Sequence, residues 1–571
     1  MVIRASHFDA AFEAPNGVEK LREFILTLAM QGKLVSQDPN DQPGSELFAE
    51  IEANKSRLQA EGQIKVPKPL RPVTTEEKPY ALPQGWIWVR LGSICSYIQR
   101  GKSPSYVEIS PNKVISQKCV RWNGLDIEPA RYIDPSSLEN YESIRFLRRG
   151  DLLWNSTGTG TIGRACLVPD SFDGAKLVAD THVTVVRSLL IDKSFLWRWI
   201  QSPMVQSKIE SFASGTTNQI ELNTSTVLSH LIPLPPLAEQ HRIVTKLDEL
   251  MARCDTLEKL RAERKKKRIT INAAAIKQLL TSSAAHDQLR AQDFIGRHFS
   301  ELYTVTQNVT ELRKAIIQLA VLGKLVPSIQ NASPSNFLIQ KIHSEKNLLL
   351  KEGKIKAPKP QRSLTSENMS YPLPDGWQWV HLQDLIIFGP SNGFSPKAVE
   401  YETKVRSLTL SATTSGKFKK EFYKYLDIDV PEDSKLWLQD GDILVQRGNS
   451  MEYVGVSAVY RGESKKYIYP DLMMKIRLTK EVDTDYVYYV MSSEQSRDYF
   501  RSNASGTSGT MPKINQQALV SLPIPLPPFE TQKKIVDSVE RLMKLCDALE
   551  HQIQASTTKQ AELLKSVLAQ A

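Results

Sequence analysis

Apolar residues along this chain fall into a few patterns, and each pattern occurs twice. Leu21, Phe24, Ile25, Leu28 and Ala29 follow one face of a helix, and Gly32 stands where a carboxy-terminal cap falls. The prolines of IKVPKPLRP (64–72) forbid helix and predict an extended, semi-rigid linker. LPQGW (82–86) reads as a turn that delivers Trp86 and Trp88 to a strand. Between residues 92 and 232, short runs such as RYID, DLLW, ACLV and HVTVVRS are separated by turn residues, which predicts a β-rich α+β insert. One helix, over 194–213, is expected inside it. PLPP (233–236) ends the insert, and a long helix begins at Leu237 with Glu239 favourably placed in its first turn.

That helix carries apolar residues at Ile243, Leu247, Leu250, Cys254 and Leu257, stepping by four and three. Ile535, Val539, Leu542, Cys546 and Leu549 repeat the steps near the carboxy terminus. Both sets read as a heptad seam. Each helix is expected to run about 40–45 residues, or roughly 65 Å. Two such helices in one chain suit an antiparallel pair, with one seam packed on the other and the inserts held apart.

Self-comparison explains why everything appears twice. LREFILTLAMQGKLV (21–35) returns as LRKAIIQLAVLGKLV (312–326), with nine of 15 positions identical. EGQIKVPKPLRP (61–72) returns at 352–363, and YALPQGWIWVRL (80–91) at 371–382, all displaced by 291 residues. PLPPLAEQHRIVTKLDELMARCDTLE (233–258) returns at 525–550, displaced by 292, with 13 of 26 identical. The chain is a tandem duplication of a unit of about 290 residues, not a solenoid of small repeats. The framing segments repeat closely, whereas 92–232 and 383–524 have diverged. One scaffold therefore presents two unlike inserts, which implies two sites of one kind with different specificities.

The expected fold is α+β, with two β-rich domains in tandem repeat separated by a pair of long antiparallel coiled-coil helices about a pseudo-twofold. The expected boundaries are 1–78 (helical segment and linker), 79–235 (first insert domain), 236–285 (long helix), 286–370 (repeated helical segment and linker), 371–527 (second insert domain) and 528–571 (second long helix).

Composition narrows the function classes. The chain has 571 residues, 41% hydrophobic and 24% charged, and a net charge of +10. A pI of about 9.1 suits a polyanionic partner without requiring one. The five cysteines form no C-x-x-C, and the nine histidines no H-E-x-x-H. Neither a disulfide framework nor a metal site is expected. The amino terminus lacks a signal-peptide apolar region and FILTLAM is too short to span a bilayer, so a cytoplasmic chain without membrane contact is expected.

Two strings imitate catalytic motifs. Gly158, Gly160 and Gly163 spell the dinucleotide-binding G-x-G-x-x-G. That turn must run strand, loop, helix, but RACLVPD follows, a β-type run stopped by Pro169. A polar hairpin loop is the better reading. Pro374, Asp375, Glu402 and Lys404 resemble the scattered acids and lysine of metal-dependent nucleases, yet Pro374 and Asp375 belong to the repeated LPxGW turn. No P-loop and no N-P-P-aromatic string occurs. Catalytic, cofactor-binding and metal-binding residues are expected to be absent.

PLPPLAEQHRIVTKLDELMARCDTLE and its second copy, GDLLWNSTGTGTIGRACLV, GDILVQRGNS and ASGTTNQIELNT together resemble the DNA-specificity subunit of type I restriction–modification systems. The resemblance covers nearly the whole chain; the P-P-x-x-x-Q helix start is its specific element. It implies that each insert is a target recognition domain for one half of a split, asymmetric site in double-stranded DNA, with the helices as spacer. It further implies two methyltransferase and two restriction subunits as partners, which would use S-adenosylmethionine, ATP and magnesium; this chain would use none. A self-sufficient DNA methyltransferase or nuclease, and a coiled-coil scaffold without nucleic acid, are the alternative classes.

DNA reading needs cations for phosphates and polar side chains for bases. The candidates in the first insert are Lys102, Arg121, Asn123, Arg148, Arg149, Arg164, Thr216, Thr217, Asn218 and Gln219. Those in the second are Asn392, Lys397, Arg406, Arg447, Asn449, Ser508, Thr510 and Lys513. RAERKKKR (261–268) reads equally as a DNA-backbone contact or as a solvated helix face.

Overall fold

A computed structural model describes residues 11–65, 69–139, 141–158, 160–169, 171, 176–209, 221–282, 284–327, 335–364, 371–506 and 511–569. The chain forms two compact units, Met1–Glu263 with Thr557–Ala571, and Arg264–Ser556.

The first unit opens with helices α1 (Gly17–Met30) and α2 (Gly44–Ala60), followed by strand β1 (Ile87–Arg90). Gly32 takes a left-handed φ of 69°, and the Lys33 N–H donates to the Leu28 carbonyl, the helix cap the sequence predicts. The insert contributes β2 (Cys95–Arg100), β3 (Lys113–Ile115), β4 (Arg131–Ile133), β5 (Leu152–Asn155), β6 (Ala165–Leu167), β7 (Leu177–Ala179), β8 (Val183–Ser188), helix α3 (Lys193–Gln201) and β9 (Leu231–Leu234). Helix α4 (Leu237–Thr281) follows, and a separate helix, Ala285–Arg297, comes after it. In the second unit the same order gives α5 (Thr306–Val321), α6 (Ser335–Lys351), β10 (Gln378–His381), β11 (Ile386–Asn392), β12 (Val405–Leu408), β13 (Tyr423–Leu426), β14 (Ile443–Gln446), β15 (Ser457–Val459), β16 (Tyr467–Ile468), β17 (Met473–Leu478), α7 (Thr484–Ser492), β18 (Pro523–Leu526) and α8 (Phe529–Ala569).

The diverged inserts share one topology. An antiparallel sheet runs β2-β8-β5-β6 in the first and β11-β17-β14-β15 in the second. Beside it lies a mixed sheet, with β7 parallel to β3 and β16 parallel to β12. A two-stranded ladder closes each insert, β1 with β9 (Ile87 opposite Leu234) and β10 with β18 (Gln378 opposite Leu526). Helix 194–213 is not continuous. It breaks at Ser202, because Pro203 cannot donate to the preceding turn and starts a new short helix, Pro203–Gln206. In the second unit Ser493 breaks the run, its hydroxyl accepting from the Ser496 N–H at 3.4 Å.

The same polar contacts recur in both units, some within the insert and some within the frame. The Asp of both GD dipeptides is buried and grips an arginine with two parallel hydrogen bonds. Arg187 reaches Asp151 at 2.8 and 2.7 Å, and Arg477 reaches Asp442 at 2.7 and 3.0 Å. The Tyr80 hydroxyl donates to the Met30 carbonyl at 2.5 Å, and Tyr371 to Val321 at 3.0 Å.

The seam needs correction. Ile243, Leu247 and Cys254 are buried in the core of the first unit, with Ile25, Ala29 and Trp199, and Leu250 packs partly on that core; Leu257 is exposed. Ile535, Val539 and Cys546 are buried in the core of the second, with Val309, Ile316 and Tyr486, and Leu542 and Leu549 pack partly on it. Each stripe is thus covered within its own unit. The ends of the long helices behave differently. Residues 557–571, at the end of the helix that starts in the second unit, belong to the first, where Leu564 and Val567 pack on Ala11, Phe12 and Ala14. Residues 264–281 of α4 belong to the second unit, where the Lys324 Nζ donates to the Leu280 carbonyl at 3.0 Å. No described helix is long and apolar enough to cross a membrane.

Candidate nucleic-acid interface

In each unit four loops converge at one end of the antiparallel sheet, and matching backbone hydrogen bonds hold them together. In the first unit the Gly101 N–H donates to Val183 at 2.9 Å, Lys102 to Ala179 at 3.0 Å, Ser156 to His182 at 2.9 Å and Leu222 to Ser156 at 2.8 Å. In the second, Gly393 donates to Met473 at 3.2 Å, Phe394 to Tyr469 at 2.9 Å, Arg447 to Leu472 at 2.8 Å and Ile514 to Arg447 at 2.9 Å. The bridges Thr157–Glu221 and Gly448–Lys513 correspond as well. Glycine is required after β2 and β11: a Cβ on Gly101 would lie 2.0 Å from the Ala179 oxygen, and one on Gly393 2.0 Å from the Tyr469 oxygen.

The G-x-G-x-x-G loop is part of this end. It joins β5 to β6, which pair antiparallel with Trp154 opposite Ala165. The order is strand, loop, strand, as the sequence reading favours, with no helix to cap a pyrophosphate. Asn155, fully buried, anchors the loop by donating to the Gln117 carbonyl at 3.0 Å and the Thr161 carbonyl at 3.2 Å. In the second unit Gln446 replaces it and donates to the Leu410 carbonyl at 3.0 Å and the Thr413 hydroxyl at 3.1 Å. Pro374, from the nuclease-like string, lies in the turn beneath Gly323, whose Cβ would meet its Cγ at 2.5 Å. Glu402 accepts from Arg406 at 2.9 Å.

The frame is shared but its side chains are not. Where the first unit presents Lys102, Ser156, Thr157, His182 and Glu221, the second presents Phe394, Arg447, Gly448, Leu472 and Lys513. The first set is mostly neutral and hydrogen-bonded. Glu221 is paired with Arg100, and the Thr157 hydroxyl lies 2.6 Å from His182 Nδ1. Asp180, beside them, is pushed up by burial, opposed by the His182 N–H it accepts at 2.9 Å. The second set is cationic and apolar. Arg447, Lys513 and Lys397 have no acid partner among the described residues, and Phe394 and Met511 are exposed. Asp471, also at this end, accepts from the Ser395 hydroxyl at 2.5 Å.

The candidates divide accordingly. Lys102, Arg164, Asn392, Lys397, Arg447, Asn449 and Lys513 lie at the loop ends; Arg164 donates to the Gly160 carbonyl at 2.7 Å and Asn449 to Gln446 at 2.7 Å. Arg148 and Arg149 do not join them. They precede β5, at the opposite end of that strand from the loop, where the Arg148 N–H donates to Asp151 at 2.7 Å and Lys193 to the Arg149 carbonyl at 3.3 Å. Arg121 and Asn123 sit on a separate hairpin, Val120–Arg121 with Gly124–Leu125, and Arg121 lies 3.6 Å from Asp126. Arg406 lies on the mixed sheet, against the rings of Tyr423 and Tyr425 at 5.3 and 5.6 Å. Thr216, Thr217, Asn218, Gln219, Ser508 and Thr510 lie outside the described residues. Sequence reasoning passed over Arg100, His182, Glu221, Phe394, Leu472 and Met511. The glycines shared by the two copies, Gly101 and Gly393, were the signal that could have led to Lys102 and Phe394 as a matched pair.

The family described as type I restriction modification DNA specificity domain matches residues 83–265 and 374–559. The type I restriction enzyme EcoEI specificity subunit of Escherichia coli is 30% identical over 570 residues, covering 96% of this chain and 92% of that protein. The EcoAI specificity subunit of Escherichia coli is 30% identical over 585 residues, with the same coverage of 96% and 92%. A solved structure, the HsdS subunit from Thermoanaerobacter tengcongensis, aligns over 87% of this chain and 98% of that one, at 19% identity and a TM-score of 0.45. The chain belongs to the family of type I restriction–modification DNA specificity subunits.

Proposed function

We propose that this specificity subunit reads a bipartite, gapped, asymmetric site in double-stranded DNA, one half through the loop end of each unit. The observation that supports this most directly is the matched loop frame carrying unlike side chains. A backbone shared by the two units sets how each domain meets the duplex, and the side chains on it choose the bases. The closing ladders β1–β9 and β10–β18 bound each insert, so it can differ without disturbing the frame.

The repeated segments 21–35 and 312–326 and the two long helices bind the methyltransferase subunits. Two equal frames suit two equal partners, and two restriction subunits join that assembly. S-adenosylmethionine, ATP and magnesium are used by those partners. The specificity subunit supplies binding and position, and the purified chain transfers no methyl group by itself.

The test is exchange. Residues 383–524 are replaced by the corresponding insert of another specificity subunit, and the sites methylated in cells expressing the complete complex are sequenced. One half of the methylated site should change and the other should stay. A change in both halves would show that the inserts do not read independently.

A further inference from the structure

The two loop ends differ most at one position. Ser156 in the first unit and Arg447 in the second occupy the same place on the shared frame: each directly follows a strand of the antiparallel sheet, donates its N–H to the turn before the neighbouring strand, and accepts from the residue after an isolated bridge, Leu222 or Ile514. The Ser156 hydroxyl lies against that of Thr184 and is buried. The Arg447 guanidinium has neither an acid nor a carbonyl partner among the described residues, although Arg447 is half-buried. The next residue, Gly448, is closely ringed. A Cβ there would meet Leu472 Cδ2 at 3.1 Å, Lys513 Cγ at 3.1 Å and Met511 Sδ at 3.2 Å. Arg447 directly follows the strand end and is half-buried, whereas Lys397 and Lys513 are exposed.

We propose that Arg447 reads a guanine through the major groove, in the half-site bound by the second unit, while Lys513 and Lys397 seat neighbouring phosphates. This rests on the reading of the chain as a bipartite DNA reader. An exposed cation meets the backbone, which projects furthest from the duplex. A half-buried fork at the strand end meets what reaches deepest into the protein surface, a base edge. Guanine offers two acceptors, O6 and N7, spaced for the two parallel N–H groups of arginine. The first unit has no such group at this place, because Ser156 is spent on Thr184 and Glu221 neutralises Arg100. The two half-sites are thus read by different chemistry on one backbone.

The test uses the full-length chain assembled with its methyltransferase subunits. Binding sites are selected from a DNA library with both half-sites randomised, for the parent, Arg447→Gln, Arg447→Lys and Lys513→Gln. The parent should require a G·C pair at a fixed position of the half-site that follows residues 383–524 in the exchange experiment. Arg447→Gln should lower discrimination at that one position about ten- to a hundred-fold and leave the other half-site unchanged. Arg447→Lys keeps the charge but lacks the fork, so it should lose most of the discrimination too. Lys513→Gln should weaken binding on every sequence alike and make the salt dependence shallower by about 0.9 in log–log slope. A second half-site without any required G·C pair overturns the assignment. So does an Arg447→Gln variant, still folded by its thermal transition, that weakens all sequences equally. A parent complex that selects no sequence at all would sink the bipartite reading itself, and this assignment with it.

Discussion

Gln240 holds the backbone of Asp192: its side-chain oxygen accepts the Asp192 N–H at 2.9 Å while its amide nitrogen donates to the Pro235 carbonyl at 2.9 Å. Gln532 repeats this in the second unit, with Asp483 and Pro527, again at 2.9 Å each. Both glutamines are fully buried. The P-P-x-x-x-Q spacing therefore has a mechanical reason. One side chain near the helix start fastens the proline that follows the last strand of the insert to the residue that caps its helix, α3 or α7.

Replacing Gln240 or Gln532 by alanine should destabilise the chain by about 2–4 kcal/mol, because a buried donor and a buried acceptor both lose their partner. Thermal unfolding of each single variant measures this. A midpoint within a degree of the parent's would show that the bridge contributes nothing.

Lys475 predicts a pH dependence. It is fully buried, donates to the Lys435 and Trp437 carbonyls at 2.7 Å each, and lies 3.7 Å from Asp442. Burial lowers it from the ordinary 10.5 to about 8, Asp442 opposing the shift and Arg477 adding to it. Between these values the unfolded chain holds a proton that the folded chain has released, so this residue adds stability as pH rises. Below pH 8 both forms are charged and the gain is absent. Relative to Lys475→Met, the parent should gain on the order of 2 kcal/mol between pH 7 and 10, measured by urea unfolding at each pH. A stability difference that stays flat across that range would remove the basis for the shift.

The exchanged helix ends predict a local response at a distance in sequence. Leu564→Asp places a charge against Ala11, Phe12 and Ala14. Amide hydrogen exchange should accelerate in residues 11–30 and stay unchanged in 306–321. Uniform acceleration in both segments would mean that the helix end does not belong to the first unit's core.

The long helices also predict a ruler. Each passes from one unit to the other, at Glu263–Arg264 and at Ser556–Thr557. Seven residues inserted at both places add about 10 Å of helix at ~1.5 Å per residue, without entering either core. The preferred gap between unchanged half-sites should lengthen by roughly three base pairs, at about 3.4 Å each, with weaker binding. Selection from a library with fixed half-sites and varied gap decides it, and an unchanged gap would show that these helices do not set the spacing.

The sequence by itself determined the duplication, the framing helices, the linkers and the hairpin character of the glycine loop. Each is written in residues close along the chain: an apolar period, a cap glycine, a proline, or a β-type run after Gly163 where a helix was required. It also showed which face of each long helix is buried near its start, though Leu257, on that face, is exposed. It did not show what covers that face. Burying an isoleucine or leucine contributes about 1.5–3 kcal/mol whichever apolar surface covers it, so a period of four and three is the same for a seam and for an ordinary core. Only the tertiary structure placed Ile243 in one core with Ile25 and Ile535 in another with Ile316, and Leu564 in a cluster with Phe12. The recognition loops follow the same rule. Cations are legible one by one, but Arg148 and Arg164 read alike until β5 sends them to opposite ends of a strand. Gly101, Ser156, His182 and Leu222 meet through backbone hydrogen bonds, which any residue type can make, so their convergence leaves no mark in composition or spacing.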